Sequence, residues 1–212
     1  MKSTSSRQTI LDRVRAATNA DSNAYADLPR NYTHRGALDT SARLRLMTER
    51  LHEYGAEVVE SSTANLPAVI TRQLQSSGRN TFVAPAALPA DWLDLNINWK
   101  LDNNLSNDEI ERCDGVLTAS FAGVADSGTI VLHHSPTEGR RVITLLPDLH
   151  LCILHASHIV ETLPEYFARC PAPPRFATYI SGPSATADIE MTRIKGVHGP
   201  RFLSVVIVRD ES

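Results

Sequence analysis

Apolar residues recur at helical spacing in the first part of the chain and gather into short unbroken blocks in the second. Ile10, Leu11, Val14 and Ala17 fall on one face of a helix over residues 6–17. The stretch NADSNAYADLPRNYTHRG that follows is rich in Asn, Asp and Pro and predicts a loop of about 18 residues. Loops of that length are functional or mobile, which makes this one a candidate cover for a site or a partner. A second helix runs from Asp39, its N-cap, to Tyr54, where Gly55 stops it. AEVVE predicts a strand, residues 64–76 a helix stopped by Gly78, and NTFVAP another strand. Residues 86–106, which carry both tryptophans, read as an irregular connection with a short helix, and 108–113 as one more helical turn.

After Asp114-Gly115 the texture changes to GVLTAS, GTIVLHH, RVITLLP, LHLCILH, FATYIS and FLSVVIVRD, with one longer helix expected over 157–169. Gly139 in PTEGRR marks a hairpin turn between the second and third of these runs. Continuous apolar strands such as LSVVIV suit a sheet buried on both faces, and the β-α-β alternation makes that sheet mostly parallel. The expected organisation is an α/β domain over 39–212 preceded by a helix-and-loop extension over 1–38.

Composition narrows the function more than the fold. With 21 Lys and Arg against 24 Asp and Glu, a formal charge of -3 supplies no overall basic field, so nucleic acid is not an expected partner. The N-terminal residues show no apolar leader core, and runs such as VITLLP are far short of the ~20 apolar residues that span a bilayer. A cytoplasmic protein without membrane insertion is expected. Cys113, Cys152 and Cys170 are few, odd in number and far apart, with no CxxC pair. They predict neither a disulfide framework nor a cluster held by this chain, and no metal site is expected.

Three segments carry candidate chemistry. Ser181 to Glu190, SGPSATADIE, follows a strand and is expected to open a short helix, with Gly182 and Pro183 in the turn. With Ser184 at the N-cap, position N3 is Ala187, so no carboxylate occupies the free amides. Those donors and the hydroxyls of Ser184 and Thr186 suit a carboxylate or phosphate, or else simply cap the helix. Asp188 and Glu190, two apart, point in different directions and do not form a paired-carboxylate device. The second segment is Asp126-Ser127-Gly128-Thr129, turn chemistry with Gly128 at positive φ. The third is Gly196-Val197-His198-Gly199-Pro200, where His198 is either a titrating group or a brace for the turn. Arg141 is a candidate anion contact. His133 and His134 are adjacent on a strand and face opposite ways, so they cannot share a metal, and His150, His155 and His158 show no metal-ligand spacing. GxSxG, GxGxxG and P-loop patterns are absent.

The order ADSGTIVL, RVITLLPDLHL, ISGPSATADIE, KGVHGP and a last apolar strand resembles the LUD-domain family, and within it the lactate-utilisation protein C group. The likeness is strongest from Gly115 to Val208 and looser at ILDRVRAA and YADLPRNY. It implies a three-layer α/β/α fold similar to the sugar-phosphate isomerase and CoA-transferase group. It also implies a role in oxidising L-lactate to pyruvate beside two partner proteins that carry iron–sulfur clusters. Asp126 to Thr129 match the family's acidic-Thr/Ser-Gly-Thr turn, Arg141 the arginine ahead of the LLP run, and Ser181–Glu190 and Gly196–Pro200 its two later signatures. The chain lacks the ferredoxin-like cysteine module of longer relatives, which places electron transfer elsewhere.

Three functions follow as alternatives. The chain is a subunit of a lactate-oxidising complex that holds a small anion among Asp126, Ser127, Gly128, Thr129, Arg141, Gly182, Pro183, Ser184, Thr186, Asp188, Glu190, His198 and Gly199. It is an autonomous enzyme acting on a phosphorylated or CoA-linked substrate. Or it is a non-catalytic assembly factor. For catalysis the candidates are His198, Asp188 and Asp126.

Overall fold

The computed structural model describes residues 6–17, 27–29, 31–172, 174–187, 193–196 and 198–209. The chain divides into two units, residues 1–32 and 33–212. The first holds α1 (Ser6–Ala17), in which Ile10 and Val14 are exposed.

The second unit begins with α2 (Thr40–Glu53), capped as expected by Asp39, whose carboxylate accepts from the Ala42 amide at 2.7 Å. It continues through β1 (Glu57–Ser62), α3 (Leu66–Ser76), β2 (Thr81–Pro85), β3 (Asn98–Asp102), α4 (Asn107–Glu111) and β4 (Gly115–Ala119). A hairpin follows, β5 (Ala122–Val124) and β6 (Thr129–Leu132), then β7 (Leu149–His155), β8 (Ile159–Val160) and α5 (Leu163–Arg169). The last elements are β9 (Thr178–Ile180), β10 (Ala185–Ala187), β11 (Arg193–Lys195) and β12 (Phe202–Arg209).

Six strands form one sheet in the order β1-β12-β7-β4-β2-β3, and every pairing in it is parallel. Alternation along each strand divides its side chains between two cores. Leu151, Ile153, Val206 and Val208 join Leu66, Val69, Ile70 and Leu74 of α3 on one face. Cys152, Leu154, Val205 and Ile207 join Leu44, Met47 and Leu51 of α2 on the other. Each fully buried Leu, Ile or Val contributes roughly 1.5–3 kcal/mol, so both coverings are firmly attached. The second face is covered by more than helix. A four-stranded mixed sheet, β8-β5-β6-β9, supplies Ala125, Ile130 and Leu132 to the same core. Ile110 of α4 closes it further along against Val83, Val116 and Ile143.

Six local expectations give way to other structure. Residues 86–106 contain the strand β3, whose polar pattern NWKLD suits a half-exposed sheet edge. RVITLLP forms a 3-10 turn over Arg141–Thr144, where the Thr144 hydroxyl bonds the Arg141 carbonyl at 3.0 Å. Gly139, at φ 74°, therefore turns the chain into that helix and not into a hairpin. The long helix expected over 157–169 is a 3-10 turn, then β8, then α5, because buried β-branched Ile159-Val160 pair with β5. A Thr162–Glu165 capping box begins the helix after them. His133 and His134 lie beyond the end of β6, with His134 at φ 56°. Finally, Ser184 does not cap a helix. Ala185–Ala187 is a strand paired antiparallel with Arg193–Lys195, because the amide and carbonyl of Ser184 bond the returning chain.

Candidate functional site

A cavity of about 250 Å³ lies over the first residues of β7 and β12, with His150 and Leu203 on its floor. Ser184 assembles its far wall. The Ser184 amide donates to the Pro200 carbonyl at 2.8 Å, its carbonyl accepts from the Gly196 amide at 2.9 Å, and its Oγ accepts from the His198 amide at 3.1 Å. One residue thus binds the third predicted segment, Gly196–Pro200, to the first. Gly182 makes the approach possible: at φ +89°, any Cβ there would sit 2.5 Å from Cβ of Tyr54.

The near wall comes from Arg141 and Thr178. Arg141 Nη1 donates to Thr178 Oγ1 at 2.8 Å, and the same hydroxyl lies 2.8 Å from His134 Nε2. His134 Nδ1 is 3.0 Å from the Gly139 carbonyl, which can only accept, so in the neutral ring the Thr178 hydroxyl donates to Nε2. On the floor, His150 Nε2 meets the Thr118 hydroxyl at 2.8 Å. Burial lowers the His150 pKa to about 4, so this ring is neutral near pH 7.

The chain of hydroxyls Ser127–Thr129–Ser181, with oxygens 2.8 and 2.7 Å apart, ties the β5–β6 turn to the cavity's edge. Asp126 itself is exposed, donates its amide to the Glu161 carbonyl and does not line the cavity. Of the expected residues, Arg141, Gly182, Pro183, Ser184, His198 and Gly199 converge, whereas Thr129 stands one hydrogen bond behind and Ser127 two. Gly128 packs against Arg50. Asp188, Glu190 and the side chain of Thr186 fall outside the described residues.

A second cavity, about 330 Å³, opens at the carboxyl end of β4. The Ala119 amide there bonds the Thr137 carbonyl, which brings residues 135–139 across the strand end. Glu138, 3% exposed, lines this cavity. Its Oε2 accepts from the His133 amide and, at 3.5 Å, from the Ser135 amide. The His133 ring stacks on Phe121 at 3.6 Å, and its Nε2 lies 2.8 Å from the Tyr166 hydroxyl. Burial lowers the His133 pKa against the opposing pull of Glu138, and burial with the neighbouring Tyr179 hydroxyl raises that of Tyr166. Both groups are neutral near pH 7.

Cys113, Cys152 and Cys170 sit in three different core clusters, and burial pushes the Cys152 thiol up to about 12. Among the described residues no group of three His, Cys, Asp or Glu is placed to hold a metal, and no helix is long and apolar enough to cross a membrane.

The family model of the LUD domain matches residues 44–208. The chain belongs to the LUD-domain family. This LUD domain is 38% identical over 169 residues to lactate utilization protein C of Deinococcus radiodurans, covering 78% of this chain and 79% of that protein. Lactate utilization protein C of Bacillus velezensis is 26% identical over 204 residues, covering 86% and 84%. In structure the LUD domain matches a DUF162 family protein from Deinococcus radiodurans at a TM-score of 0.70 and 32% identity, over 81% of this chain and 99% of that one. Both cavities lie within the family's span. In this LUD domain the sequence reading missed Thr178, Thr144 and His150 of the first cavity and all of the second. Glu138 stood in plain view between Thr137 and Gly139 in the run PTEG, but its turn chemistry hid the carboxylate.

Proposed function

We propose that this LUD domain serves L-lactate utilisation as a component that works beside iron–sulfur partner proteins, and that it holds a small anion in the cavity over β7 and β12. The role follows the names of its relatives. The anion follows one observation: Arg141 is oriented by Thr178 at the wall of a cavity whose other polar side chains are hydroxyls, His198 and the neutral His150, with no carboxylate among its described lining residues. A guanidinium beside hydroxyls suits a carboxylate or a phosphate. The amides of Ser184 and His198 are already bonded, so recognition falls to side chains rather than to a helix N-terminus. With the three cysteines dispersed, the clusters that oxidation requires belong to the partners, and the protein works in the cytoplasm. A kinship to the sugar-phosphate isomerase and CoA-transferase group accords with the parallel sheet covered on both faces.

Growth on L-lactate as sole carbon source tests the reading, in a strain that lacks this chain and any second lactate oxidase. Wild type restores growth, and well-expressed Arg141→Ala or Ser184→Ala forms do not. Growth without the chain overturns the lactate role. Growth with both variants leaves an assembly factor whose cavity is structural.

A further inference from the structure

We propose that the cavity at the carboxyl end of β4 is a second ligand site, in which Glu138 recognises a small organic acid that also carries a hydrogen-bond donor, a hydroxyl or an ammonium. The inference stands apart from the lactate reading and uses different residues.

Glu138 is buried, yet among the described residues no cation pairs with it, and its recorded bonds are two backbone amides on one oxygen. Removing a carboxylate from water without a counter-charge costs several kcal/mol, and proteins keep such groups where something else supplies the missing donor. The cavity is where a donor must enter. Ser120 adds an acceptor beside it, because its hydroxyl proton is directed to the Ile153 carbonyl at 2.8 Å and its lone pairs remain. The wall residues Phe121 and Tyr166 pack edge to face and are backed by His133, stacked on Phe121, and by Tyr179, edge-on to Tyr166, so a ligand meets a formed surface.

The acidic half of the ligand follows from Arg169, an exposed cation that also lines the cavity; its Nη1 donates to the Ser157 carbonyl at 3.4 Å, and among the described residues no carboxylate pairs with it. A bare anion is repelled by Glu138, and a molecule with a donor alone brings no anion to the Arg169 charge. An acid with a donor satisfies both. The position fits as well, since ligands of open parallel sheets settle beyond the carboxyl ends of the strands.

Three-carbon acids that differ at one substituent make the test. L-lactate carries a hydroxyl at C2, L-alanine an ammonium, and propionate neither. The amides of His133 and Ser135 donate to Glu138, so their NMR shifts report the site directly, and those of Ser184 and His198 report the other cavity. L-lactate or L-alanine is expected to shift the first pair saturably and to bind about tenfold or more tightly than propionate. Which of the two binds identifies the donor. Glu138→Gln removes the preference over propionate, and Arg169→Gln, at the exposed mouth, weakens the binding acid. The proposal is overturned if none of the three moves the His133 and Ser135 amides, or if propionate binds equally well. It also fails if Arg169→Gln has no effect on affinity, a result that remains decisive should the Glu138 variant not fold.

Discussion

The two cavities flank a single stretch of chain, residues 133–141, and use their polar groups in opposite ways. In the cavity over β7 and β12 the loop and floor groups around Arg141 already have protein partners: Ser184 through three atoms, Thr178 through two neighbours, His150 through Thr118. At the carboxyl end of β4 the central carboxylate is bonded on one oxygen and has no counter-ion among the described residues. The adjacent histidines draw the boundary, His133 joining Tyr166 and His134 joining Thr178. Loops that look like ligand loops are therefore partly self-satisfied, and the less conspicuous turn holds the group with unmet chemistry.

The largest expected effect concerns the rigid floor of the first cavity. His150 titrates at about 4 in the folded protein against 6.5 when unperturbed. Between those values the unfolded chain binds more protons, so stability is full above pH 6.5 and falls as pH drops towards 4, by about 3 kcal/mol. Urea unfolding at pH 7 and pH 5 should show wild type losing about 2 kcal/mol more than His150→Gln. Equal losses would mean that the floor admits water and protons, and the contrast between the cavities would weaken.

Next comes Gly182→Ala, which meets both a positive φ and Tyr54. It should cost about 2 kcal/mol in thermal unfolding while leaving the His133 and Ser135 amide shifts unchanged. Movement of those shifts would show that the cavities respond as one. Tyr166→Phe tests the other side. Loss of its bond to His133 should cost about 1 kcal/mol, with chemical-shift changes confined to Phe121, His133 and Tyr179. The smallest effect is expected from Ser184→Ala, about 0.5 kcal/mol, because the bond it removes is solvent-exposed. Faster hydrogen exchange at the His198 amide would be its signature, and unchanged exchange would deny Ser184 its bracing role.

Much of this was legible in the residues. The Asp39 cap, the helix it starts and the unbroken apolar strands follow from periodicity and turn chemistry, which act locally. The convergence of Arg141, Ser184 and His198 was legible too, through the likeness of ordered motifs rather than through spacing. What escaped depends on distant partners. Ala185–Ala187 becomes a strand because Arg193–Lys195 returns beside it, and RVITLLP curls because a hydroxyl within it bonds its own backbone. Thr178 and Glu138 acquire meaning only when the mixed sheet and the turn over β4 are folded. No local pattern distinguishes a buried carboxylate from one in solvent.

The place of β12 in the sheet has a bearing on how the molecule is made. Glu57 pairs with Ser204, and β12 lies between β1 and β7. As the chain leaves a ribosome, β1 emerges early and has no neighbour until almost the whole domain has been synthesised. Pairings so distant in sequence close slowly. Through that interval β1 and the apolar β7 present open edges of the kind that other chains capture. The nascent protein therefore has its greatest need of a chaperone just before β12 appears, and shortening the chain ahead of Phe202 should yield aggregate rather than a smaller folded domain.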